Sequence, residues 1–129
     1  MLVVDASVLA PVVADGGIDG DTFRDRLRGE AIAGPDLLRV EVISVIRRQA
    51  AASRLTSAQA GRAIDALLDL PITVYPTASL LRRVWALRAN VTAYDGCYIA
   101  LAEALDCPLL TADIRLTKAP GITCVIETL

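Results

Sequence analysis

The sequence contains no histidine, a single lysine and few aromatic residues. Without histidine, neither a Ser-His nor a Cys-His nucleophile pair can form, and zinc sites built on imidazole are excluded. Aromatic residues make up 4% of the chain, which is too few for a surface that stacks successive bases of a single strand. Any catalysis must therefore use carboxylates, arginines, hydroxyls or a metal ion.

Cysteine is also scarce, with Cys97, Cys107 and Cys124 widely separated along the chain. An odd number at this spacing, with no histidine beside it, favours neither a disulfide framework nor a zinc site. We interpret all three as small apolar side chains in a reducing compartment.

The chain has 129 residues, of which 54% are hydrophobic and 22% charged. This length predicts a single domain over residues 1–129, and the apolar surplus favours a homodimer or a protein partner. The apolar stretch Met1–Ala14 is interrupted by Asp5 and Pro11 and lacks a basic start. It therefore predicts neither a signal peptide nor a membrane span, and we expect a cytoplasmic protein.

Apolar runs typical of strands alternate with segments of helical periodicity along the whole chain. This alternation predicts an α/β sandwich around a mostly parallel sheet. The expected strands are 2–4, 31–33, 72–75, 108–111 and 122–126. A helix is expected after Asp5, with Val8, Leu9, Val12 and Val13 as its periodic positions, and the other expected helices are about 19–28, 34–53, 57–70, 77–88 and 93–106.

Four acidic residues occupy positions where such a fold concentrates ligands. Asp5 and Asp113 follow the first and fourth expected strands, and ligands bind outside the carboxyl ends of parallel strands. Glu41 borders an apolar helix stripe, and Asp95 lies in a first helical turn. Taken singly, each has an ordinary structural interpretation, as a helix cap, a charge favoured at a helix start or a solvated acid.

Convergence of these acids would require a cation. Two carboxylates about 4 Å apart repel by roughly 4 kcal/mol at an effective dielectric constant of 20, against a total domain stability of about 5–15 kcal/mol. Oxygen ligands without His or Cys favour Mg²⁺ or Mn²⁺. Such a site suits hydrolysis of a phosphodiester.

Four segments, in order and nearly spanning the chain, resemble the motifs of VapC-type PIN domains. They are Val3-Val4-Asp5-Ala6-Ser7-Val8-Leu9, Pro35-Asp36-Leu37-Leu38-Arg39-Val40-Glu41-Val42, Thr92-Ala93-Tyr94-Asp95-Gly96-Cys97-Tyr98-Ile99-Ala100-Leu101-Ala102 and Leu110-Thr111-Ala112-Asp113-Ile114-Arg115-Leu116. Gly96 is a departure, since the family more often has Ala after this aspartate.

The resemblance implies a PIN-like α/β/α fold and an endoribonuclease that a cognate VapB-like antitoxin silences. Its acidic pocket would hold Mg²⁺ or Mn²⁺, with Asp5 and Asp95 in direct contact and Glu41 and Asp113 acting directly, through water or on a second metal. Ser7 and Thr111 match the hydroxyls beside the family's pocket. Either could bind an acid or cap a helix.

Arginine supplies 12 of the 13 cationic side chains, although the net charge is −2. Local basic surfaces could bind RNA phosphates, while charge runs on helices are more often solvated faces. Arg115, two residues after Asp113, is our candidate for substrate. We interpret Trp85 as core or interface. The other candidate positions are Arg24, Arg26, Arg28, Arg47, Arg48, Arg82, Arg83 and Arg88.

Two other function classes stay open. A magnesium-dependent phosphohydrolase or phospho-acceptor would also place Asp after the first strand, but a haloacid-dehalogenase-like site needs a second Asp where Ser7 stands. A receiver domain needs a lysine after a late strand, and Lys118 is poorly placed for that role. A non-catalytic module could use the acidic pocket to bind a partner's arginine.

Overall fold

The computed structural model describes all 129 residues, and its centre is a sheet of five parallel strands in the order β3-β2-β1-β4-β5. The expectation of a mostly parallel sheet is confirmed. The strands are β1 (Leu2–Val4), β2 (Ile32–Pro35), β3 (Ile72–Tyr75), β4 (Leu109–Leu110) and β5 (Ile126–Glu127).

Six α-helices flank the sheet, as expected of an α/β sandwich. Two short 3-10 helices, Ala78–Leu80 and Ile114–Lys118, accompany them. The α-helices are α1 (Ala6–Ala14), α2 (Ile18–Leu27), α3 (Leu38–Ala51), α4 (Ser57–Asp69), α5 (Leu81–Ala86) and α6 (Ala93–Leu105).

β1 lies between β2 and β4, where the order of the strands reverses direction along the sheet. Val3 pairs with Ala33 on one side and with Leu109 on the other. Because the strands are parallel, the carboxyl ends of β1 and β4 lie side by side, which is the usual location of a ligand crevice in such sheets. Asp5 and the segment 111–113 leave the sheet at this point.

The buried apolar side chains form one contiguous cluster of 28 residues. All three residues of β1 are buried, as expected for a strand covered by helices on both faces. No helix is both long enough and apolar enough to cross a membrane. The three cysteines are free thiols, of which Cys97 is buried.

Three predicted boundaries were wrong. Gly34 and Pro35 belong to β2, where they pair with Val74 and Tyr75, so α3 begins only at Leu38. In the sequence, Gly-Pro is typical of a turn. Pairing with β3 nevertheless keeps both residues in the strand, and Pro is tolerated at a strand end. Elsewhere, the expected helix 77–88 divides into a 3-10 turn and the short α5, and β5 is confined to 126–127.

The late start of β5 has a structural cause in the loop that precedes it. Gly121 has a positive φ of 81°, and its carbonyl oxygen accepts a 2.6 Å hydrogen bond from Arg83. The side-chain amide of Asn90 donates to the carbonyl of Pro120 over 2.9 Å. These contacts hold the loop against the end of α5, so the chain joins the sheet only at Ile126.

Candidate active site

Asp5 ends β1 and is only 7% exposed. Its Oδ1 accepts hydrogen bonds from the Ser7 backbone N–H over 3.1 Å and from the Ser7 hydroxyl over 2.5 Å. Its Oδ2 accepts from the hydroxyl of Thr111 over 2.5 Å. Asp5 is therefore the cap of α1 and, at the same time, a carboxylate held from two neighbouring strand ends.

Backbone groups of the β4 exit fix the two hydroxyls that contact Asp5. The N–H of Ala112 donates to Ser7 Oγ over 2.9 Å, and the N–H of Asp113 donates to Thr111 Oγ1 over 3.1 Å. Each hydroxyl therefore accepts a backbone proton and directs its own proton at Asp5. A carboxyl group that accepts at both oxygens is ionised, so this arrangement favours a charged Asp5.

Burial opposes that charge. Desolvation raises the pKa of Asp5 above its ordinary value, the hydrogen bonds from Ser7 and Thr111 lower it, and the nearby charge of Asp95 raises it. Since burial disfavours the ionised form unless something compensates it, Asp5 is a charged group in need of a cation.

Glu41 lies in the first turn of α3. Its Oε1 accepts a 2.6 Å hydrogen bond from the hydroxyl of Tyr98, a buried residue of α6. Burial raises the pKa of Glu41 most, the Tyr98 contact lowers it, and the charges of Asp5 and Asp95 raise it. The pKa of Tyr98 is raised by its own burial and by Glu41, which keeps the phenol protonated as the donor.

Asp95 lies in the first turn of α6, and its backbone N–H donates to the capping hydroxyl of Thr92 over 3.1 Å. Desolvation raises the pKa of Asp95, the Thr92 hydroxyl lowers it, and the charge of Asp113 raises it. Unlike Asp5, the Asp95 carboxylate receives no short hydrogen bond that would compensate its burial.

Asp113 follows β4 and has a different environment. Both of its oxygens accept from the guanidinium of Arg115, over 2.9 and 2.8 Å, and Oδ1 also accepts from the Arg115 backbone N–H. The side-chain contact with Arg115 lowers the pKa of Asp113. Asp113 is thus the one acid of the four that already has a cationic partner.

The structure brings the four acids into one electrostatically coupled group at the carboxyl edge of β1 and β4, where their charges influence one another's pKa values. No three acidic side chains are grouped tightly enough to form a ready-made metal cage. This arrangement still fits Mg²⁺ or Mn²⁺, because Mg²⁺ is bound through one or two carboxylates and retains several waters. The donor set consists of oxygens alone, which suits a hard cation.

Three surface grooves border this acidic group. The Arg88 groove has a volume of about 510 Å³ and contains Asp95 and Asp113, and the Arg54 groove, of about 440 Å³, contains Ser7 and Ala112. The Tyr94 groove, of about 320 Å³, contains Glu41. Asp5 itself is buried and lines none of the three grooves.

Gly96, the departure from the family pattern, is explained by a close approach of two helices. A Cβ atom at this position would lie 3.2 Å from Cγ1 of Val84 on α5. Glycine therefore lets α5 pack closely against α6 beside Asp95. The acids themselves are unaffected by this departure.

Several arginines that the sequence offered as RNA contacts bind other parts of the protein. Arg24 donates to the carbonyls of Val12 and Asp15 at the end of α1. Arg26 pairs with Glu30 and Glu127. Three further pairs are Arg28 with Asp25, Arg83 with Glu103, and Arg115 with Asp113.

Two residues near the acids were not recognised from the sequence. Tyr98 reads as an ordinary apolar position of α6, yet its hydroxyl contacts Glu41; its place three residues after Asp95, on the same helix face, was the available signal. Trp85 was interpreted as core or interface, and a core position is wrong, since its side chain is 68% exposed. The guanidinium of Arg88 lies 4.3 Å from its ring centre.

Comparisons with known proteins agree with this geometry. The family model of the PIN domain matches residues 2–122. Ribonuclease VapC9 of Mycobacterium tuberculosis is 42% identical over 127 residues, which covers 98% of this chain and 96% of the relative. Ribonuclease VapC1 of the same species is 41% identical over 126 residues, with 97% and 95% covered.

Solved structures share the fold at low sequence identity. VapC20 of Mycobacterium tuberculosis, described as a sarcin-ricin loop cleaving toxin, has a TM-score of 0.72 at 16% identity and covers 97% of this chain and 98% of its own. VapBC2 of Rickettsia felis, bound to a DNA fragment from its promoter, has a TM-score of 0.71 at 14% identity, with 98% and 97% covered. At these identities the likeness concerns the fold alone.

Proposed function

The chain belongs to the VapC branch of the PIN-domain family, and from this premise we propose that it is a metal-dependent endoribonuclease, the toxin of a toxin–antitoxin pair. Asp5, Glu41, Asp95 and Asp113 form its catalytic, metal-binding site for Mg²⁺ or Mn²⁺. The substrate is RNA, and the site of action is the cytoplasm.

One observation carries the proposal. Asp5 follows a strand, and Glu41 and Asp95 lie on two different helices. Each of the three has a raised pKa, and the charge of another acid of the site contributes to the rise. Perturbed acids gathered at a crevice are typical of functional sites. Glu103 contrasts with these three acids, since its pairing with Arg83 lowers its pKa.

The side chains have separate tasks in this proposal. Ser7 and Thr111 orient Asp5, and Tyr98 orients Glu41, and the acids oriented in this way would hold the metal. Asp95 contributes a further negative charge, which Thr92 and Arg115 stabilise only in part. When bound, Mg²⁺ or Mn²⁺ would activate water and stabilise the charge that develops at the phosphate.

Arg115 is proposed to bind the substrate. Its side chain is 86% exposed and lines the same groove as Asp95 and Asp113. A guanidinium matches a phosphate in the bidentate geometry that it now uses for Asp113. Because the Arg115 side of the pair is largely exposed to water, the net contribution of the pair is small, and Arg115 could exchange the carboxylate for an RNA phosphate at low cost.

A cognate VapB-like antitoxin is proposed as the protein partner, and a homodimer as the state of the toxin. Exposed apolar side chains support a protein-binding surface, among them Val40 and Tyr94 beside the acidic Glu41. A basic side chain from the antitoxin, placed in this Tyr94 groove, would neutralise Glu41. Among the solved structures of this fold are complexes of a toxin with its antitoxin, such as one from Klebsiella pneumoniae.

The direct test is cleavage of a mixed cellular RNA pool by purified, antitoxin-free protein. With Mg²⁺ or Mn²⁺ we expect cuts at a few sites, and no cuts with EDTA or in Asp95→Asn. Asp65→Asn, at an exposed position of α4, is the matched control and should cleave like the wild type. Absence of cleavage by folded, metal-loaded protein would reject the nuclease proposal in favour of a small phosphate substrate or a binding role.

A further inference from the structure

The Arg88 groove lies between the loop that joins α5 to α6 and the 3-10 helix Ile114–Lys118. At one end it contains Asp95 and Asp113, and its volume of about 510 Å³ is within the range of small-ligand sites. Its lining residues are Arg88, Ala89, Asn90, Val91, Thr92, Asp95, Asp113, Arg115, Leu116 and Ala119. A ligand in this groove would lie next to the acidic group.

Arg88 differs from most cations around the site because it has no carboxylate partner. Its side chain donates to the carbonyl of Trp85 over 3.0 Å, and its guanidinium lies over the Trp85 ring. Arg83 and Arg115, by contrast, are each paired with an acid. Stacking on the indole fixes the orientation of the Arg88 guanidinium while leaving its charge available to an anion.

Trp85 is the only tryptophan of the chain, and it is 68% exposed. The Arg88 guanidinium lies 4.3 Å from the centre of the indole ring, and the exposed part of the ring is available to a planar partner. A large aromatic side chain at the surface beside a free cation is a common arrangement in single-strand binding, where bases stack and arginine contacts the backbone.

We propose that Arg88 and Trp85 form a binding subsite for a nucleotide of single-stranded RNA next to the phosphodiester at the acidic group. Arg88 binds the phosphate of that nucleotide, and Trp85 stacks on its base. This inference rests on the proposed function, since it names how the substrate of the same site is held. Trp85 does not itself line the groove, so the bound strand would pass Arg88 at the groove's margin to reach the indole ring.

The charges of the groove leave one cation available to an RNA phosphate. With Arg115 and Asp113 neutralising each other, Arg88 is the remaining cation and Asp95 the remaining acid of the lining. Arg88 therefore presents an unpaired positive charge to a phosphate chain, with or without metal at Asp95.

The test measures binding without cleavage. A short, mixed-sequence 2′-O-methyl oligoribonucleotide is titrated into the protein in EDTA, and fluorescence of the single tryptophan reports contact at Trp85. We expect quenching of that fluorescence, a Kd about tenfold weaker in Arg88→Ala, and a salt dependence of the Kd reduced by about one phosphate contact in that variant. Arg82→Ala removes a neighbouring exposed arginine of α5 that does not line the groove and should bind like the wild type.

A second variant separates the base from the phosphate. Trp85→Phe keeps an aromatic ring of smaller area, and with a dye-labelled oligonucleotide its Kd should lie between those of the wild type and Trp85→Ala. An unquenched tryptophan, or equal affinity in wild type and Arg88→Ala, would overturn the subsite and leave this surface to a protein partner.

These outcomes are independent of catalysis. If the wild type binds and is quenched but never cleaves RNA with metal, the subsite stands and the nuclease proposal fails. If the wild type cleaves RNA while Arg88→Ala binds and cleaves equally well, the nuclease proposal stands and the subsite fails.

Discussion

The hydroxyl of Thr111 donates to Asp5 Oδ2 over 2.5 Å, across the junction of β4 and β1. Thr111 is completely buried, so water cannot replace this donor. The two residues are 106 positions apart in sequence, and the parallel pairing of their strands brings them together. The pairing of β1 with β4 therefore helps to fix the position of Asp5, the central acid of the site.

Removing that donor should weaken the site more than the fold. Thr111→Val keeps the shape of the side chain but leaves Asp5 Oδ2 without its hydrogen bond, which raises the pKa of Asp5 further. We expect RNA cleavage to fall about 10- to 100-fold and the free energy of unfolding to fall by about 1–3 kcal/mol. Thr111→Ser retains the hydroxyl and should keep most of the activity. Equal activity of the Val and wild-type proteins would exclude an orienting role for Thr111.

Asp95→Asn should abolish cleavage and yet stabilise the metal-free protein. Burial, with Asp113, raises the pKa of Asp95 above its ordinary 3.8, so the folded state binds its proton more tightly than the unfolded chain does. Stability of the wild type therefore falls as the pH rises from 3.8 through the raised pKa. After allowance for solvent screening, the variant should gain at most about 1 kcal/mol, or roughly 3 °C in Tm, at neutral pH.

Thermal unfolding in EDTA at several pH values measures this gain. The Tm advantage of Asp95→Asn should be complete above the raised pKa of Asp95 and vanish below pH 3.8, where the wild-type carboxyl is also neutral. Metal should raise the Tm of the wild type and reverse the order. A variant that is less stable than the wild type at neutral pH would contradict the electrostatic description of the site.

Tyr98→Phe should shift the pH dependence of cleavage. The Tyr98 hydroxyl lowers the pKa of Glu41, so its loss raises that pKa and leaves more Glu41 protonated at a given pH. Because metal ligands must be ionised, the acidic limb of the pH–rate profile should move to higher pH. Activity well above the new midpoint should recover. A loss of rate by the same factor at every pH would indicate that the substitution disturbs packing and does not act through the pKa of Glu41.

Arg115→Ala should raise the KM for RNA more than it lowers kcat. The proposed role of Arg115 is to bind phosphate, and an interaction made equally in ground and transition states affects KM alone. Arg28→Ala breaks a similar exposed Arg–Asp pair on α2, away from the grooves around the acids, and serves as the control. If Arg115→Ala leaves KM unchanged, Arg115 has no part in substrate binding.

Much of the fold could be predicted from local sequence. β1 is a fully apolar run followed by Asp5, and the hydroxyls of Thr56 and Thr92 cap the helices that begin after them, as threonine commonly does at helix starts. The limits of β2 could not be predicted, since Gly34 and Pro35 are in a strand only because β3 pairs with them. A local turn motif contains no information about which strand will pair with it.

The candidate site could also be predicted only in part from the sequence. The acids follow from motif order and from the rule that ligands bind where parallel strands end. The contact of Tyr98 with Glu41 depends on how α6 packs against α3, and the stacking of Arg88 on Trp85 depends on a short α5 that ends at Ala86. Tertiary packing determines both contacts, so periodicity alone could not predict them.

Binding of Mn²⁺, followed by calorimetry on the metal-free protein, tests the central claim most directly. We predict one or two sites in the wild type, a loss of at least about tenfold in affinity in Asp5→Asn, Glu41→Gln and Asp95→Asn, and unchanged binding in Asp65→Asn. Wild-type protein that binds no Mn²⁺, or single variants that bind it as the wild type does, would contradict the claim that these acids share a metal.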